Sequence, residues 1–195
     1  MEIFIQTFVL YFAVIDPLAA TSIFLIVTQR LTVKDKIKTA FEATAIATLI
    51  LLFFAFLGKF ILSYLQISLS AFTIAGGIIL FIISLEMLFD KRNQRKEEKI
   101  RNNSEATSIF PLAIPLLAGP AAITSVIVSV ADVGGNFIAQ ATGILSLILV
   151  MFVTFIIFFI ASKSSKIINK KITTGISRVI GIILAGLSIQ YILDG

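Results

Sequence analysis

A carboxylate directly before a proline, inside a long apolar run, is the most chemically pointed feature of this chain. It is Asp16, in Asp16-Pro17-Leu18-Ala19-Ala20-Thr21-Ser22-Ile23. A second run reads Gly119-Pro120-Ala121-Ala122-Ile123-Thr124-Ser125-Val126, where Pro, the second Ala, Thr and Ser recur at an offset of 103. Proline removes an N–H and clashes with the carbonyl four residues back, costing about 3 kcal/mol in a helix interior. The residue before it is pushed out of the α region. A helix crossing either site should therefore break and restart, with Pro as its first residue and, at the first site, Asp as N-cap. Each restart carries orphan N–H groups and about half a positive charge. The carbonyls left behind, around Phe12–Ala13 and Pro115–Leu116, need partners. Thr21, Ser22, Thr124 and Ser125 add hydroxyls within the next turn and a half. The candidate substrate- or ion-binding set is thus Asp16, Pro17, Thr21, Ser22, Gly119, Pro120, Thr124 and Ser125. It offers N–H donors for a carboxylate, carbonyls for a cation and hydroxyls for either. The competing reading is a pair of kinks, with hydroxyls bonded back to their own helices.

A carboxylate at the bilayer centre costs several kcal/mol and marks function by default. Asp16 is either a plain N-cap or an ammonium partner, sodium ligand or proton carrier. Glu86 and Gln190, one turn from their helix ends, are candidate gating or coupling residues. Glu42 lies one turn after Lys38 and reads as an interfacial ion pair. Thr44 and Thr48 either line a polar path or satisfy their own backbone. Cys and His are absent, which excludes disulfides and the nucleophiles and metal centres built on those residues. Gly76-Gly77 and Gly134-Gly135 are isolated pairs without a P-loop lysine. No enzyme activity, resident metal or cofactor is expected, beyond a transported H⁺ or Na⁺.

The elements that must position these residues follow from composition. The chain is 58% hydrophobic and 14% charged, with a mean hydropathy of +1.05. A soluble domain runs nearer half apolar and a quarter charged, so lipid is the expected solvent. Runs near 3–27, 37–57, 71–89, 107–130, 136–161 and 173–193 each approach the roughly 20 residues needed to span hydrocarbon. All should be helices, because open sheet edges in lipid leave backbone groups unpaired. The expected fold is all-α: one polytopic domain, 1–195, of six transmembrane helices. Residues 90–106 form a charged linker between halves 1–89 and 107–195. Fifteen of the sixteen Lys and Arg residues follow the first, third and fifth runs, and Lys59 alone falls in the alternate loops. By the positive-inside rule those three loops are cytoplasmic and both termini face outward. This bias also accounts for the net charge of +5 without nucleic acid. The Met-Glu start, lacking a basic n-region, leads us to expect no removable signal peptide.

The halves resemble each other beyond the proline sites. Gly77-Ile78-Ile79-Leu80, Ser84 and Asp90 recur as Gly181-Ile182-Ile183-Leu184, Ser188 and Asp194 at an offset of 104. Phe41, Ala43 and Ala45 recur as Phe137, Ala139 and Ala141 at an offset of 96. Three crossings per repeat force opposite orientations, so the halves are expected as inverted repeats, an architecture of secondary transporters.

The string Phe110-Pro111-Leu112-Ala113-Ile114-Pro115-Leu116-Leu117-Ala118-Gly119-Pro120 resembles the signature of the MarC family of integral membrane proteins. Phe12-Ala13-Val14-Ile15-Asp16-Pro17 is similar to that family's Asn/Asp-Pro segment. Gly181 to Ala185, with Ser188-Ile189-Gln190, is similar to its last helix. The resemblance covers the whole chain. It departs at Ala19 and Ala121, often Gly in members, and at Ser22, where members carry a second Pro. It implies transport of a small neutral amino acid such as alanine or glycine. The expected function is thus a secondary transporter or exporter of a small zwitterion in the cell membrane. The alternatives are an uncoupled pore, which would need a continuous polar lining, or a structural membrane protein. Expected partners are a small-molecule substrate and the lipid bilayer, with a homo-oligomer allowed.

Overall fold

The computed structural model describes residues 2–89, 112–131, 136–164 and 170–195, so the linker expected at 90–106 lies outside them. Every regular element among the described residues is helical. These are α1 (Glu2–Ile15), α2 (Pro17–Val27), α3 (Val33–Tyr64), α4 (Leu69–Leu88), a short wide-turn segment (Leu112–Leu117), α5 (Pro120–Ala131), α6 (Phe137–Lys163) and α7 (Lys170–Asp194). Five stretches are long and apolar enough to cross a membrane: Glu2–Val27, Val33–Tyr64, Leu69–Leu88, Phe137–Lys163 and Thr173–Asp194. The remaining expected crossing, 107–130, is described from Leu112 onward, as the wide-turn segment and α5.

Local chemistry sets the helix ends. Thr32 caps α3, accepting from Asp35 N at 3.2 Å while its hydroxyl donates to Asp35 Oδ2 at 2.6 Å. The 32 residues of α3 span about 48 Å, more than about 30 Å of hydrocarbon, so its charged first turns extend beyond the apolar core. At its other end Gln66 adopts φ 57°, Gln66 N reaches Ser63 O and Ile67 N reaches Leu62 O. That is a left-handed C-terminal cap in which glutamine stands where glycine is usual. Ser68 then caps α4, accepting from Ala71 N at 3.1 Å.

Burial separates core from rim. Nine of the twelve residues of α5 and seven of the eleven of α2 are buried, against eight of thirty-two in α3. The interrupted stretches are therefore the interior, packed inside the long helices. Outward faces of the long helices carry exposed Phe53, Phe56, Phe60, Ile182 and Ile183, apolar surface that suits lipid rather than water. The tightest seam joins α4 and α7. A Cβ placed on Gly77 would sit 2.7 Å from Ser188 O, and one on Gly181 would sit 3.2 Å from Ser84 O. An early residue of each helix meets a late residue of the other, so the pair is antiparallel. Small residues at such a seam let backbones approach, which is how membrane helices gain packing energy. Phe24 stacks on Phe158 with centroids 4.5 Å apart, and Thr7 donates to Ser146 at 2.9 Å across α1 and α6.

Candidate functional site

Both expected helix breaks are present. In the first span a single residue, Asp16, separates α1 from α2, at φ 50° and ψ 68°. Its side chain accepts from Ala19 N at 3.2 Å, the N-cap bond expected of an Asp before Pro. One expectation is corrected here: the Phe12 carbonyl is not left open, because Asp16 N donates to it at 3.0 Å. The left-handed backbone at Asp16 bends the chain without losing that bond, and Asp tolerates this region better than most residues.

The second break is broader than a single proline implies. Ala118 N reaches back five residues to Ala113 O at 2.9 Å, and Ile114 is extended, at φ −129° and ψ 127°. Two prolines act in series. Pro115 follows the extended residue, as its steric demand on Ile114 requires, and Pro120 starts α5. Gly119 between them has no room for a side chain, since a Cβ there would lie 2.7 Å from Pro115 O.

The two broken spans pack on each other crosswise. α1 touches α5, and α2 touches the wide-turn segment. The two broken stretches therefore run antiparallel, with their interruptions side by side.

The individual side chains divide into three groups. Thr21 and Thr124 bond back to Pro17 O at 2.6 Å and Pro120 O at 2.9 Å, which uses their hydrogens but leaves their oxygens able to accept. Asp16 is 2% exposed and accepts at both oxygens from Ser177 of α7, 3.2 Å each. Sequence reasoning missed Ser177. Its one signal was position, because Ser177 is the 104-residue counterpart of Thr73 within the repeated helix. Ser125 is fully buried, and its hydroxyl has no hydrogen-bond partner. Ser22 is half-buried, Pro17 is buried, Gly119 is half-buried and Pro120 is exposed.

A further hydroxyl cluster was also missed. Ser129 and Tyr191 hydroxyls lie 3.3 Å apart between α5 and α7. The Tyr11 hydroxyl of α1 lies beside this pair, almost fully buried and without a well-formed hydrogen bond. Ser125 and Ser129 are one turn apart and share a face, so the orphan Ser125 hydroxyl points toward the same side of α5. A buried hydroxyl without a partner costs about 1–3 kcal/mol, and native proteins usually fill such places with water or a ligand.

Glu86 and Gln190 do not meet. The antiparallel seam sets them toward opposite ends of the α4–α7 pair, and Gln190 donates to exposed Asp194 at 2.7 Å. Lys38 and Glu42 form the expected surface pair at 3.9 Å. Thr44 and Thr48 bond to Ala40 O and Thr44 O, so their backbone reading holds. No group of His, Cys, Asp and Glu able to hold a metal occurs among the described residues.

A family model described as "MarC family integral membrane protein" matches residues 1–195. A "UPF0056 membrane protein" of Methanocaldococcus jannaschii is 33% identical over all of this chain and 96% of its own length. Proteins of the same description from Pyrococcus abyssi and Buchnera aphidicola subsp. Schizaphis graminum are each 33% identical over all of this chain, covering 94% and 92% of theirs. No solved structure matches the chain.

Proposed function

Because the chain belongs to the MarC family of integral membrane proteins, we propose that it is a secondary transporter or exporter of a small zwitterion, a neutral amino acid of the alanine or glycine class, coupled to H⁺ or Na⁺. The observation that carries this reading is the crosswise packing of two interrupted spans in the core, one of them with buried Asp16 at the restart. In this reading the substrate carboxylate takes the orphan N–H groups and dipole at the start of α5, where no side-chain anion competes. Its ammonium lies near Asp16, whose carboxylate keeps lone pairs beyond those used by Ala19 N and Ser177. The unpartnered Ser125 hydroxyl supplies one more donor.

The reading includes an inverted repeat, and the α4–α7 seam supports it. Shifting the contact of Gly77 with Ser188 and Ile192 by 104 residues gives the contact of Gly181 with Ser84 and Leu88. Reciprocal antiparallel contacts are what a two-fold axis across the pair produces. Alternating access in such repeats is a rocking of one half against the other around a central site.

The test is counterflow and gradient-driven uptake in proteoliposomes with a panel of amino acids, for the parent and Asp16→Asn. Asparagine keeps the cap and tolerates the left-handed backbone, so the variant should stay monodisperse. Losing a charge-assisted hydrogen bond should weaken substrate binding about ten- to hundred-fold, or uncouple flux from the ion gradient. Parent-like transport by Asp16→Asn would leave Asp16 as a cap alone. No specific flux in the parent would favour the structural reading.

A further inference from the structure

Two grooves of about 470 Å³ each open between α3 and α6, one toward either end of the pair. They are positional counterparts. Thr44, Ala45 and Phe155 of one correspond, at an offset of 96, to Gln140, Ala141 and Lys59 of the other. Both are lined mainly by apolar side chains, and neither includes Asp16, Gly119 or their hydroxyl neighbours. They differ in one respect that selects an occupant. The groove walled also by Val130 and Ala131 of α5 has Lys59 in its lining, where its counterpart has Phe155.

Lys59 forms no ion pair among the described residues. It is followed by Phe60, Ile61 and Leu62 before α3 ends at Tyr64, so it lies more than a turn inside the helix end. A lysine placed there extends its stem along apolar surface and carries its charge toward the headgroup level. Gln140, on the facing wall, gives one amide hydrogen weakly to Val130 O at 3.5 Å and retains another.

We infer that this groove is a binding site for one anionic phospholipid, its acyl chain lying in the cleft and its phosphate paired with Lys59. Apolar lining alone suits any lipid chain; the unpaired cation in that lining makes the site selective for an anionic headgroup. The counterpart groove, equal in volume but without a cation, holds chains with no headgroup preference. This inference is independent of the transport reading.

The test is native mass spectrometry of the full chain, delipidated in neutral detergent and supplied with phosphatidylglycerol or phosphatidylcholine. The parent should retain one phosphatidylglycerol in preference to phosphatidylcholine. Lys59→Gln should reduce that preference about fivefold, the effect of one basic residue at an anionic lipid surface. Ala141→Phe fills the cleft from an exposed position and should reduce retention of the bound lipid without changing elution of the folded protein. Phe155→Lys should create a second retained phosphatidylglycerol. Equal retention of both lipids by the parent, or unchanged preference in Lys59→Gln, would overturn the headgroup assignment. Unchanged retention in Ala141→Phe would place the lipid elsewhere. A dimer that Ala141→Phe dissociates would assign the groove to a second copy of the chain instead.

Discussion

Asp16 and Gly119 occupy matching positions at the two breaks, yet they solve the same problem by different means. Asp16 bends the chain through a left-handed backbone and caps the restart with its own carboxylate. Gly119 caps nothing and is required for space, because the Pro115 carbonyl stands where a Cβ would go. Gly119→Ala should therefore push that carbonyl away and cost about 1–3 kcal/mol, typical of a forced core contact. A lower unfolding temperature in detergent, with α5 otherwise intact, is the expected result. Ser177→Ala tests the other break. Removing the hydroxyl leaves buried Asp16 with only its cap bond, and a hydrogen bond to a charged group contributes about 1.5–3 kcal/mol. The variant should melt lower than the parent, and Ser177→Thr, which keeps the hydroxyl, should recover part of the loss.

At the scale of elements, two glycines at the α4–α7 seam and one outside it have different surroundings. Gly77 faces backbone atoms at 2.7 and 3.0 Å, Gly181 faces its nearest atoms at 3.0 and 3.2 Å, and Gly186 faces nothing within 4 Å. Alanine substitutions should follow that order. Gly77→Ala should be the most damaging, since backbone cannot give way as a flexible side chain can. Gly181→Ala should be milder. Gly186→Ala should be neutral or slightly stabilising, because alanine is favoured over glycine in a helix by up to about 1 kcal/mol. A thermal melt series in one detergent reads all three, and an inverted ranking would contradict the seam as described. The helix boundaries themselves follow from Thr32, Ser68 and Asn136, each a capping side chain at a start.

For the whole molecule, the charge pattern makes a prediction that the packing of helices does not contain. Fifteen basic residues follow the first, third and fifth runs and one does not, so position 66 should face outward and position 96 inward. The chain has no native cysteine, which makes single-cysteine variants at those two positions straightforward to read. An impermeant thiol reagent applied from outside should label the first and spare the second. The opposite pattern would reverse the topology.

Membrane residence, the all-helical class, the positions of five apolar spans and both helix breaks were legible in the sequence alone, though α3 runs seven residues past the expected end at 57. Each rests on a local cause: hydrocarbon requires about 20 apolar residues per crossing, lipid requires internally satisfied backbone, and proline cannot continue a helix. The family resemblance came from the same local strings. What the sequence did not reveal was which side chains from distant helices would meet. Ser177 reaches Asp16 across 161 positions, and Tyr11 comes to rest beside Ser129 and Tyr191. Serine and tyrosine in an apolar helix look alike whether they bond to their own backbone, as Thr21 and Thr124 do, or face another helix. Only the packed bundle separates the two cases, because partner choice depends on helix rotation and crossing, which a single helix does not specify. The second break was underestimated for the same reason: Pro115 was in plain view, but the extended Ile114 and the tight place of Gly119 arise where two prolines five residues apart interrupt one helix enclosed by its neighbours.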